Sequence, residues 1–131
     1  MYTACPGEGL PIQSVLSENF LLRLVLHMTH HELLREIRTR LQAWHGPRLR
    51  GVVLYGSEAR GQATPDSDID LLVLLEDPID FGRDLDVNSQ ALYPLSLQIG
   101  RRISAKPVGA EEYRAAQCPL YRNAQAEGIT V

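Results

Sequence analysis

Two cysteines, Cys5 and Cys118, are all that the 131 residues contain, too few for a disulfide framework. A reduced, cytosolic protein is the default expectation. Long apolar runs are missing too. Residues 20–26 are interrupted by Arg23, whereas a bilayer requires about 20 consecutive apolar residues. No basic stretch opens the chain, so a secretory leader is not expected. Positive charge is also in short supply. The net charge is −3, so no global basic field exists to hold nucleic acid by its phosphates. The local pairs Arg35/Arg38, Arg48/Arg50 and Arg101/Arg102 read as solvated helix faces and strand edges. Internal repeats and low-complexity tracts are absent, and the length suits one domain with one modest core.

What the chain does have is concentrated in its middle. Val52-Val53-Leu54-Tyr55 reads as a buried strand. It runs into Gly56-Ser57, which permits a tight turn, and Ser57-Glu58-Ala59-Arg60 follows as the start of a short helix over 57–61. Backbone N–H groups freed at such a turn point at an anion. Gly61 and Pro65 turn the chain back, and a second strand spans 69–75. Side chains two apart on a strand share a face, so Asp68 and Asp70 project together while Ile69 and Leu71 face the other way. Two carboxylates this close repel each other unless a cation lies between them. Mg²⁺, a hard ion that takes carboxylate and phosphate oxygens, suits them. The combination reads as a site for a metal–nucleoside triphosphate. A solvated turn is the bland alternative. An EF-hand calcium loop fails, because its Gly and terminal Glu are missing at the required offsets.

Gly56-Ser57, ten intervening residues, then Asp68-Ile69-Asp70 resembles the signature of the DNA polymerase β-type nucleotidyltransferase superfamily. The likeness is greatest to its minimal, stand-alone members and runs from about residue 29 to the C-terminus. Cys118-Pro119-Leu120-Tyr121-Arg122-Asn123 also resembles the end of such domains. The resemblance implies an α/β (α+β) fold, a small mixed sheet with helices mainly on one face. It implies transfer of AMP from ATP to a hydroxyl, with Mg²⁺ on Asp68 and Asp70 as the catalytic carboxylates. Gly56, Ser57 and Arg60 would hold the nucleotide, although Ser57 also fits a helix cap and Arg60 a surface residue. It further implies a helical HEPN-type partner, with the chain acting as the antitoxin of a toxin–antitoxin pair. The alternatives are a weakly active module that neutralises its partner by binding, and an antibiotic-type adenylyltransferase. Homo- or hetero-oligomeric assembly is left open.

The resemblance also implies a third carboxylate on the next strand. Arg102-Ile103-Ser104-Ala105-Lys106-Pro107-Val108 contains none, and Ser104 or Lys106 stands about where it would be. Either the acid comes from elsewhere, with Asp84 and Asp86 as candidates, or one metal works with a partner-supplied base, or nucleotide binds without turnover.

Around this centre, residues 1–11 read as an arm and 12–28 as an apolar stretch with helical spacing, together an extension preceding a domain at 29–131. Met28 stands as an alternative start. Thr29-x-x-Glu32 forms a capping box. Leu33, Leu34, Ile37, Leu41 and Trp44 recur at helical spacing over 30–44, with Trp44 expected in the core, and Gly46-Pro47 stops that helix. His27, His30, His31 and His45 read as ordinary exposed histidines. Residues 84–100 read as a helix with Val87, Ala91, Leu95 and Ile99 on one stripe, kinked or divided at Pro94. Strands at 51–55 and 103–108 and a last helix at 110–117 complete the expectation.

Overall fold

A computed structural model describes residues 29–131. The expectations for residues 1–28, including the histidine at position 27 and a start at position 28, lie outside the described residues. The elements run α1 (His30–His45), a 3-10 turn (Gly46–Arg48), β1 (Leu49–Tyr55), β2 (Ile69–Leu75), α2 (Phe81–Ile99), β3 (Ile103–Gly109), α3 (Ala110–Arg114), α4 (Pro119–Glu127) and β4 (Ile129–Thr130).

Helix α1 opens on the expected capping box. Glu32 N–H donates to Thr29 Oγ1 at 3.1 Å, and Thr29 N–H donates to Glu32 Oε1 at 2.9 Å. Leu33, Leu34, Ile37 and Leu41 form its buried stripe. Ile37 and Leu41 are fully buried, and such side chains each contribute about 1.5–3 kcal/mol. Gly46, at φ +62°, then ends the helix beside Pro47. Trp44 departs from expectation. It is 52 % exposed, because the buried stripe turns onto His45 in the last turn. His45 is correspondingly not an exposed histidine. It is buried, with Nε2 2.6 Å from Asn88 Oδ1, and Asn88 Nδ2 donates to Ala105 O at 3.0 Å. This chain of polar contacts joins α1, α2 and β3.

The sheet has the order β3-β2-β1-β4. Strands β1 and β2 are antiparallel, β2 and β3 parallel, and β4 lies antiparallel to β1. Helix α2 supplies the crossover that a parallel pair requires. One face of the sheet, with Val52, Leu54, Leu71, Val73 and Leu75, packs under α1 and α2. The opposite face buries Val53, Leu72 and Val108 against Ala124 of α4, with Tyr113, Leu120 and Tyr121 at its margin. The anticipated mixed sheet, with the long helices on one face, is the fold observed. Strands β1 and β3 are slightly longer than expected.

Three helices differ. Residues 56–61 form a turn, not a helix. Positive φ at Gly56 (+77°) and Gly61 (+71°) brackets too few residues for a helical run. Helix α2 starts earlier, at Phe81, because the Asp80 side chain accepts from Arg83 N–H. Pro94 does not divide it, since that residue faces solvent and the carbonyl it leaves free can be hydrated there. Its buried face is Asp84, Asn88, Ala91, Leu92 and Leu95, one step around from the apolar stripe expected, because two polar residues are buried. The last helix stops at Arg114. A separate α4 and the short β4 follow, both unanticipated.

Candidate nucleotidyl-transfer site

Strand β1 delivers the chain to the turn, and β2 carries it away. Tyr55, the last residue of β1, pairs with Asp70 in β2. Gly56 therefore begins the turn directly against Asp70. A Cβ on Gly56 would lie 2.7 Å from Asp70 Oδ2, closer than real Cβ contacts come, and its φ of +77° independently favours glycine. The turn closes through Arg60 N–H to Gly56 O (3.2 Å), Gly61 N–H to Glu58 O (3.3 Å) and Gln62 N–H to Ser57 O (2.9 Å). A second turn follows, with Thr64 N–H donating to Ser67 Oγ at 2.9 Å, and leads into β2.

Ile69 and Leu71 of β2 enter the helix-covered core, Asp70 between them faces the other way, and Asp68 immediately precedes the strand. Asp68 is exposed and Asp70 half-buried. Burial, then the neighbouring Asp68 charge, pushes the Asp70 carboxyl above the usual carboxylate range, and Arg102 opposes this in part. Burial, then the Asp70 charge, likewise raises the Tyr55 phenol. The site thus carries negative charge that nearby side chains do not fully compensate.

Of the residues expected together, Gly56 lies against Asp70, Asp68 is near enough for its charge to act on Asp70, and Ser57 follows Gly56 in the turn. Arg60 lies on the same turn but its side chain is exposed, reaching Gln62 Oε1 at 3.3 Å. With Tyr55, Gly56, Asn123 and Glu127 it lines a cavity of ≈ 260 Å³ between the turn and α4. Ser104 stands beside Asp70 in the β2–β3 register, and Lys106 stands beside Leu72. The place of an expected third carboxylate is therefore a serine. Asp84 does not replace it. That carboxylate is 1 % exposed and paired with Arg48 (3.0 Å). Arg48 precedes β1 and also binds Glu76 O, just past the far end of β2, a strand's length or roughly 20 Å from the site. Asp86 is exposed on α2 and accepts from Gln90. Among the described residues, no cluster of three His, Cys, Asp or Glu could hold a metal. Two hard carboxylate donors, Asp68 just before β2 and Asp70 within it, still suit a Mg²⁺ that takes its remaining ligands from water and phosphate.

Local spacing missed Arg101, which joins the two turns of the site. It donates to Glu58 and, through Nε, to Ser67 O at 3.0 Å. The partners are 43 and 34 positions away, beyond any periodic signal.

The family model for the nucleotidyltransferase domain matches residues 34–115, which take in the turn, both carboxylates and β3. The chain belongs to that nucleotidyltransferase family. A solved structure described as a minimal nucleotidyltransferase is 30 % identical, with a TM-score of 0.50, over 80 % of this chain and 98 % of its own. A toxin–antitoxin structure with AMP-PNP shares the fold at 21 % identity and TM-score 0.52, over 72 % of this chain and 68 % of that one. Spectinomycin adenyltransferase AAD(9) from Enterococcus faecialis, solved with ATP and spectinomycin, shares it at 24 % identity and TM-score 0.52. The likeness covers 64 % of this chain but only 36 % of that enzyme. No curated protein matches the chain.

Proposed function

We propose that residues 29–131 form a minimal nucleotidyltransferase that moves AMP from ATP onto a hydroxyl of a helical, HEPN-type partner protein, acting as the antitoxin of a toxin–antitoxin pair. The observation that carries this reading is the apposition of the Gly56 turn to the Asp68/Asp70 pair, where a single added methyl would strike the Asp70 carboxylate. Gly56 and Ser57 would present N–H and hydroxyl donors to the β- and γ-phosphates, and Arg60 would swing over them. Asp68 and Asp70 would hold Mg²⁺, whose charge would offset that of the triphosphate. The acceptor oxygen bonds to the α-phosphorus, the bond from that phosphorus to the β-bridging oxygen breaks, and pyrophosphate leaves. With Ser104 beside Asp70, the hydroxyl proton goes to a base on the partner.

A protein acceptor is supported by the outer face of α2. Tyr93 and Leu97 are 63 % and 64 % exposed, and Trp44 is exposed beside Tyr93. Residues 87–99 carry no charge, unusual for a solvent-facing helix. Trp44, Tyr93 and Pro94 frame a cavity of ≈ 450 Å³ there. Large apolar patches of this kind mark protein contacts. The toxin–antitoxin neighbours make such a partner the natural occupant.

A second reading, neutralisation by binding alone, draws on Ser104. One experiment separates the two: co-expression with the helical protein of an adjacent reading frame, then intact mass before and after ATP and MgCl₂. A partner gaining AMP is the expected result. A stable complex without mass gain would replace transfer by binding.

A further inference from the structure

Glu58 is an awkward residue in a turn that receives phosphates. Its carboxylate sits two residues from Gly56, is 13 % exposed, and would repel a triphosphate if left alone. It is not left alone. Arg101, immediately after the Gly100 cap of α2, is 16 % exposed and donates to Glu58 Oε1 at 2.5 Å. His30 Nε2, on the first residue of α1, lies 3.2 Å from Glu58 Oε2. The same guanidinium donates through Nε to the carbonyl of Ser67, the residue that precedes Asp68. One side chain thus grips both the phosphate turn and the entry to the carboxylate strand. The backbone hydrogen bonds of residues 56–62 close the turn on itself, but they do not tie it to the start of β2; Arg101 does.

We infer that Arg101 is a positioning residue of the nucleotide site. Through Glu58 and the Ser67 carbonyl it sets the phosphate turn against Asp68 and Asp70, and it cancels the one carboxylate inside the turn. This rests on the nucleotidyl-transfer reading. Arg101 is taken up by Glu58 and the Ser67 carbonyl, and the test follows both ties.

The measurement is the Kd for ATP with MgCl₂ on the full chain, by calorimetry, with thermal unfolding recorded for each variant. Arg101→Gln leaves Glu58 without its guanidinium, with only His30 beside it, and should raise Kd about tenfold. Glu58→Gln loses the tie but adds no repulsion, so its loss should be smaller. The double variant Glu58→Gln/Arg101→Gln also gives up the Ser67 tie but adds no repulsion, so its Kd should lie between those of the two single variants. Arg101→Lys, which keeps the charge while giving up the fork, should fall between wild type and Arg101→Gln, and supplies the test if Arg101→Gln does not fold. A folded Arg101→Gln or Arg101→Lys protein with wild-type Kd would overturn the inference, as would a double variant weaker than Arg101→Gln. A wild-type chain that binds no ATP would overturn the nucleotidyl-transfer reading itself, a separate outcome.

Discussion

At the scale of single residues, Gly56 has least freedom to change. Its backbone lies at φ +77°, and a Cβ would press into Asp70 Oδ2 at 2.7 Å. Gly56→Ala must therefore strain the turn, by about 1–3 kcal/mol, or move the carboxylate. We expect the variant to melt earlier and to lose ATP affinity by about tenfold or more, measured by thermal unfolding and calorimetry. Unchanged affinity would separate the glycine from the site. The residues of this centre were legible because their chemistry is local. Gly56-Ser57 marks a turn after an apolar strand, and Asp70 alternates with the buried Ile69 and Leu71, whereas Asp68 falls just before the strand. Arg101, His45 and Asn88 were not legible, because their partners lie far away in sequence and polar burial leaves no periodic trace. Trp44 misled for a related reason. It continues the apolar spacing of α1, but the last turn of that helix buries a histidine, which tertiary packing decides.

At the scale of elements, α2 shows what holds the sheet to its helices. Its N-terminal end is fastened by Asp84, whose carboxylate takes both forks of Arg48 at 3.0 and 3.2 Å and accepts from Asp80 N–H at 3.1 Å. Arg48 in turn reaches the carbonyls of Glu76 and Pro78. The Arg48 hydrogen bonds hold the Asp84 carboxyl below its usual range. A depressed folded-state pKa stabilises the fold above the unfolded value near 4 and loses that contribution as pH falls through the folded value. Wild-type Tm should fall with acidification below about pH 4, and Asp84→Ala should remove part of that slope. At neutral pH the variant should lose about 1–3 kcal/mol, since it removes a charge-assisted hydrogen-bond pair while Arg48 keeps the carbonyls of Glu76 and Pro78. Equal pH slopes in the two proteins would contradict this. The strands and both long helices were legible from apolar periodicity and caps. The early start of α2 was not, because its first buried residue is the aspartate that meets Arg48. Helix α4 and β4 were hidden in a tail with weak periodicity. They close the open face of the sheet, with Val131 N–H donating to Val52 O at 2.8 Å.

At the scale of the whole molecule, the topology explains why so short a chain can carry a site. Antiparallel β1 and β2 place the end of one strand beside the start of the next, so a single connection supplies both phosphate turn and carboxylates. Parallel β3 then brings Ser104 alongside Asp70. No helix among the described residues is long and apolar enough to cross a membrane. Residues 87–99 of α2 carry no charge and expose Tyr93 and Leu97 on the helix side of the sheet. A partner docked there would have to present its acceptor hydroxyl around the edge of β3, or from a second subunit. The central claim is that Asp68 and Asp70 bind the cation that holds ATP. Calorimetric titration of ATP into the full chain, with and without MgCl₂, tests it most directly, with Asp68→Asn/Asp70→Asn measured alongside. The account predicts Mg²⁺-dependent binding by the wild type and its loss in a double variant that still unfolds cooperatively. Equal binding by both proteins would contradict it.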